Sequence, residues 1–132
     1  MRNPVLHLLF SHKLTEAQAK DAYESLGVER IVYFPEELLG VWGSMPPEAA
    51  SIKSLLMAHA EYMARRCQRG DYILIQGDPG ATFLMVQKAL SLGLVPVYAT
   101  TSRAGTIEKR DAHGRVVKSS VFEHVRYRVY GQ

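Results

Sequence analysis

The chain has 132 residues, 47% hydrophobic and 22% charged, which fits one globular domain able to bury its own core. Its net charge of +3 suits an anionic ligand but is too small to demand a nucleic-acid track, and an ordinary solvated surface accounts for it equally well. The one cysteine, Cys67, excludes an internal disulfide and has no metal-ligand spacing around it, so it reads as incidental. In chain order, the opening MRNPVLHLLFSH is too short and too polar for a signal peptide, and no apolar run approaches the ~20 residues of a membrane span. A cytoplasmic protein with no membrane partner is therefore expected.

Val5 to Phe10 reads as a buried strand that breaks at Ser11-His12-Lys13. Thr15 and Gln18 have capping-box spacing and predict a helix that runs to about Leu26 and stops at Gly27. Arg30 to Phe34 predicts a second strand, closed by Pro35. Pro46-Pro47-Glu48 predicts a helix start, and Ile52, Leu55, Leu56, His59, Tyr62 and Met63 follow as one apolar stripe. Asp71 to Gln76 predicts a third strand, a helix follows Gly80, and Leu94 to Tyr98 predicts a fourth strand running into ATTSR. Strands alternating with helices predict an α/β fold with a mostly parallel sheet and helices on both faces. The tail alternates differently, around a turn at Asp111–Gly114, and predicts a hairpin plus a terminal strand that extends the sheet or packs on a partner. One domain is expected, with a core over 1–103 and a β extension over 104–132.

Ligands of open parallel sheets bind outside the carboxyl ends of the strands. Three segments should meet there: Ser11-His12, Gln76–Ala81 and Thr100–Arg103. The turn Gly77-Asp78-Pro79-Gly80 before a helix start favours a phosphate, because unpaired N–H groups gather there and glycines let a ligand approach. It reads equally as a turn that Asp78 merely caps. Gly80-Ala81-Thr82 lacks the P-loop lysine, and the third glycine of the dinucleotide fingerprint is absent. Thr100, Thr101, Ser102 and Arg103 add three hydroxyls and a guanidinium, which suit phosphate and sugar oxygens.

His12 is the imidazole placed at that edge. His7 reads as core, His59 as packing and His113 as part of a turn, and the role of His124 stays open. No carboxylate pair or His/Asp/Glu cluster suggests a metal, and no cofactor is expected.

The segments LLFSHKLTEAQ, VWGSMPPE, DYILIQGDPGATFLMV, GLVPVYATTSR and VFEHVRYRVY, in that order, resemble a family of small CRISPR-associated proteins, number twenty of the Csx series. That family is similar to stand-alone CARF domains and is grouped with ring nucleases. The resemblance spans Leu6 to Tyr130. It implies a Rossmann-like, CARF-like domain, a two-fold homodimer and a cyclic oligoadenylate ligand, with the tetra-adenylate favoured. It also implies cleavage of that ring, which ends type III CRISPR signalling. Catalytic roles do not transfer with the resemblance and follow instead from chemistry. Metal-independent cleavage uses a ribose 2′-hydroxyl against the adjacent phosphorus, giving 2′,3′-cyclic phosphate and 5′-hydroxyl ends. Arg103 and the Gly80 and Ala81 amides suit charge stabilisation, Ser11, Thr100 and Thr101 suit positioning, and His12 suits proton transfer. Gln76, Gly77, Asp78 and Ser102 complete the expected ligand edge. A sensor that holds the ring without cutting it is the alternative. A duplex-DNA regulator using Arg110, Arg115, Lys118, Arg126 and Arg128 lacks a recognition-helix pattern.

Overall fold

The computed structural model describes residues 2–132. Four parallel strands, β1 (Val5–Phe10), β2 (Arg30–Tyr33), β3 (Tyr72–Gln76) and β4 (Val95–Arg110), are joined by an antiparallel β5 (Val116–Val129). The result is one mixed sheet in the order β2-β1-β3-β4-β5. Between the strands lie α1 (Glu16–Ser25), α2 (Glu36–Trp42), a 3₁₀ turn (Lys53–Leu56), α3 (Met57–Arg66) and α4 (Pro79–Ser91).

Strand periodicity sorts the core into two layers. Leu6 and Leu8 of β1 and Leu74 of β3 face α1, where they meet Ala22, Val97 and Tyr127. Leu9, Ile73 and Ile75 face the other way, onto Trp42, Leu56, Met63, Met85 and Ala89 of the remaining helices. Helices therefore cover both faces, as the dense apolar strands require. The expected α/β class is found, with a mixed sheet because β5 reverses direction.

α1 begins on the expected capping box: the Gln18 N–H donates to Thr15 Oγ1 at 3.1 Å and the Thr15 N–H donates to Gln18 Oε1 at 2.9 Å. It ends where Gly27 takes φ +65°, which a side chain would resist.

Three expectations are corrected. No helix starts at Pro46-Pro47; those residues lie in an irregular connection, and helical structure resumes only at Lys53. α2, which the sequence reading missed, follows Pro35 directly; its Trp42 is 1% exposed. Thr100–Arg103 is not a strand-end loop: β4 continues unbroken to Arg110 and pairs with β5 along its length, so the tail is one long hairpin without a separate terminal strand.

At the amino edge of the sheet Asp71 is 1% exposed and ties β1 to β3. Its carboxylate accepts from Arg2 (2.8 Å), the Val5 N–H (3.1 Å), His7 Nε2 (2.9 Å) and the Gln68 N–H (3.0 Å). Burial pushes its pKa up, but these hydrogen bonds outweigh that and hold it below the usual carboxylate range. His7 is thus buried as expected, and bonded. His59 is buried too, its Nε2 2.7 Å from the Leu38 carbonyl oxygen. Burial, followed by the nearby Asp71 charge, pushes the Cys67 thiol up to about 12. No helix among the described residues is long and apolar enough to cross a membrane.

Candidate functional site

The chain leaves β1 toward β2 on one side and returns through β3 on the other, so the loops diverge between β1 and β3. In an open α/β sheet such a divergence leaves a crevice beyond the carboxyl ends. Phe10 pairs with Gln76 at that edge, which brings Ser11-His12 beside Gln76–Ala81 as expected.

The protein fills much of this crevice itself. Trp42 lies over Gly77, and its Nε1–H donates to the Gln76 carbonyl at 2.8 Å. A Cβ on Gly77 would stand 2.6 Å from Trp42 Nε1, so this glycine makes room for the indole rather than for a ligand. Asp78 caps α4: its Oδ2 accepts from the Ala81 N–H at 3.0 Å, and its carbonyl accepts from the Thr82 N–H. Pro79 has no N–H, and of the Gly80 and Ala81 amides only that of Gly80 lacks a partner among the described residues. The expected phosphate cradle of Gly80 and Ala81 amides is therefore reduced to one donor beside a carboxylate. Gln76 is also engaged, its Oε1 accepting from the Ala99 N–H at 2.8 Å. The Ser11 side chain rests against Gly43, and exposed His12 sets its ring edge-on to Phe10, with centroids 5.3 Å apart.

A more open arrangement lies one strand further along the same edge. β4–β5 pairing sets Thr101 opposite His124 and Arg103 opposite Phe122. Alternation puts these four side chains on one face of the ribbon. That face is continuous with Ala99 and Tyr127, which pack toward α1. The Tyr127 hydroxyl donates to the Gln18 carbonyl of α1 at 2.8 Å. A cleft of about 510 Å³ opens here, lined by Thr15, Gln18, Thr101, Phe122, Glu123 and His124, together with Ala17. His124 Nε2 lies 2.8 Å from Asp21 Oδ2, and its buried Nδ1 has no partner among the described residues. Burial pushes Asp21 up, while hydrogen bonds from Ser25 and His124 and the charges of His124 and Arg126 bring its pKa below the ordinary value. As a carboxylate, Asp21 accepts from His124 Nε2–H, which fixes the orientation of the ring. Phe122 is 60% exposed, and the Arg103 guanidinium lies 5.8 Å over its ring. The cleft thus offers a flat apolar ring and an oriented imidazole, with the Arg103 cation lying over that ring.

Thr101 and Arg103 therefore join the site from β4 rather than from a loop. Thr100 and Ser102 point to the opposite face, where the Thr100 hydroxyl donates to the Arg126 carbonyl at 3.1 Å. Among the described residues no group of three or more His, Cys, Asp or Glu is placed to hold a metal ion.

Residues 4–128 match the Uncharacterized protein MJ1673 family. The chain belongs to that family. It is 39% identical over 127 residues to Uncharacterized protein MJ1673 of Methanocaldococcus jannaschii, covering 96% of this chain and 97% of that protein. No solved structure matches.

Sequence reasoning missed Asp21 and Phe122 and left His124 open. Asp21 and His124 are 103 positions apart and meet only because β5 packs on α1. Phe122 carried one local signal: it is the one Phe, Tyr or Trp between Thr101 and His124.

Proposed function

We propose that the chain is a metal-independent ring nuclease built on a Rossmann-like, CARF-like domain. It binds cyclic oligoadenylate, with the tetra-adenylate favoured, and linearises it in the cytoplasm to end type III CRISPR signalling. The supporting observation is the cross-strand cluster of Thr101, Arg103, Phe122 and His124 at the carboxyl edge of the sheet. An adenine stacks on Phe122, as bases do on exposed aromatic rings in single-strand binding sites. Arg103 takes phosphoryl oxygens, and the hydroxyls of Thr101 and Ser11 position the sugar-phosphate. The ribose 2′-oxygen attacks the adjacent phosphorus, the 5′-oxygen departs, and a 2′,3′-cyclic phosphate forms. His124, oriented by Asp21 as in other imidazole–carboxylate pairs, moves the proton in place of exposed His12. A ring of even symmetry suits a pair of chains about a two-fold axis.

The test is incubation of the protein with labelled cyclic tri-, tetra- and hexa-adenylate in excess chelator, followed by separation of the products. Linear products with 2′,3′-cyclic phosphate ends are expected. His124→Ala should slow their release by about a hundredfold or more while the ring still binds. Tight binding without products would leave the sensor alternative. Failure to bind any of the three rings would overturn the whole reading.

A further inference from the structure

We infer that the cavity between β2 and α3, toward the amino edge of the sheet, is a phosphate-binding site held by His7, Arg30, Tyr62 and Arg66. The inference does not rest on the ring-nuclease reading, whose cleft lies on the α1 face at the carboxyl edge. Periodicity builds the cavity. His7 stands two residues before Leu9 and points to the same face of β1, toward α3. Strand register sets Val32 beside His7 and Arg30 beside Val5, on that face too. From α3, Tyr62 and Arg66 lie one turn apart and reach over these strands. The Tyr62 ring is seated on Phe34, with centroids 4.6 Å apart. The result is an open cavity of about 360 Å³ lined by His7, Arg30, Val32, Tyr62 and Arg66.

Two observations point to a ligand, and to its charge. The first is His7. It is 4% exposed, its Nε2 lies 2.9 Å from Asp71 Oδ2, and its buried Nδ1 has no partner among the described residues. A buried polar atom of this kind calls for a bound group to satisfy it. Asp71 holds the ring in place, and its own charge is already met by Arg2 and two backbone amides. The second is unbalanced positive charge. The lining has two guanidiniums and no carboxylate. Arg66 is in no ion pair among the described residues, and Arg30 meets only Glu29, at 3.9 Å in an exposed contact that is worth little. Burial, followed by Cys67, pushes the Tyr62 phenol above its ordinary value against the pull of Arg66, so its hydroxyl stays a donor. Arg66 also complements the carboxyl end of α3, but Arg65 does so as well, and neither role accounts for the unpaired imidazole. The polar groups come from β1, β2 and α3, and so from three directions. A tetrahedral phosphate offers oxygens in as many directions, and guanidiniums bind it bidentately, whereas a planar carboxylate offers two oxygens in one plane.

The test is calorimetric titration of the full chain with inorganic phosphate, with glycerol phosphate as a simple monoester and with acetate. Arg30→Gln and Arg66→Gln accompany the wild type; both residues are exposed, so the core is left alone. Phosphate should bind saturably, and each variant should weaken it at least about tenfold with unchanged circular dichroism. Tighter binding of the monoester would assign the site to a phosphorylated metabolite, and tighter binding of inorganic phosphate to the free anion; either result keeps the phosphate assignment. Nitrogen NMR of the wild type provides a check that does not depend on variants: the His7 Nδ1 resonance should move on phosphate addition while that of His59 stays. No saturation by either phosphate up to about 10 mM overturns the inference. So does wild-type affinity in both variants, or acetate binding as tightly as phosphate. Both variants should cleave cyclic tetra-adenylate at the wild-type rate, so failure of ring cleavage and failure of phosphate binding are distinguishable.

Discussion

Two glycines of one turn do different jobs. Gly77 is fixed by what lies above it, because a Cβ there would stand 2.6 Å from Trp42 Nε1 and 2.8 Å from Cε2. Both atoms belong to a rigid ring that is buried and hydrogen-bonded, so the ring cannot move aside cheaply. Gly77→Ala should cost about 1–3 kcal/mol, as overpacking does. At Gly80 a Cβ would meet Asp78 Oδ2 at 3.4 Å and Ile52 Cδ1 at 3.7 Å, which are ordinary contacts. Gly80→Ala should therefore be neutral or stabilising by up to about 1 kcal/mol, since alanine suits the first turn of a helix better. Urea denaturation of the two variants checks the contrast. Equal destabilisation would mean that Trp42 does not seat over Gly77. Binding to the folded Gly80→Ala protein then isolates any part that the remaining amide plays.

At the scale of elements, β1 and β3 are fastened at one end by Asp71 and at the other by Trp42. The Asp71 pKa lies below its unfolded value of about 3.9, so the unfolded chain takes up its proton first as pH falls. The stabilisation is fully present above pH of about 4 and is lost as pH drops through the lower, folded-state value. Asp71→Asn keeps the shape but loses the charge, and should cost about 1–3 kcal/mol at neutral pH. Denaturant titrations at several pH values should show the gap between wild type and variant closing below about pH 4. A gap independent of pH would mean that Asp71 acts by shape alone. The β4–β5 arm is an element of another kind: its base is pinned to α1 through Tyr127 and the His124–Asp21 contact, while its outer part has no such tie among the described residues.

For the whole molecule, surface area is the telling quantity. The chain exposes 8645 Å², about 1,600 Å² more than the ~7,000 Å² of a compact body of its mass. If a second copy covers that surface, dimerisation and folding are linked, and the melting temperature must rise with protein concentration. Differential scanning calorimetry across a concentration series measures this directly. A concentration-independent melting temperature would place the arm outside the folding unit. The same arrangement bears on the proposed function, since Thr101 and Arg103 sit at the root of the arm and a partner holding the arm would also hold the cleft.

Features that depend on near neighbours in the chain were legible in the sequence. Apolar runs and their punctuation located β1, β2, β3 and the start of β4, and Thr15 with Gln18 located the start of α1, because caps and pleats are local physics. The reach of β4 was not legible. ATTSRAGTIEKR is polar enough to pass for a loop, and it becomes a strand only by pairing with β5, with register shifts after Thr100 and Arg103. α2 was missed because its seven residues carry no capping side chain, and tertiary burial of Trp42 secures it. The amino-acid order alone brought Ser11-His12 and the Gly77–Gly80 turn to one edge, since alternating strands and helices determine where parallel strands end. Only the tertiary structure decided that Trp42 occupies that turn and that Asp21 orients His124. Those contacts join residues 34 and 103 positions apart, and no local preference encodes a distance of that kind.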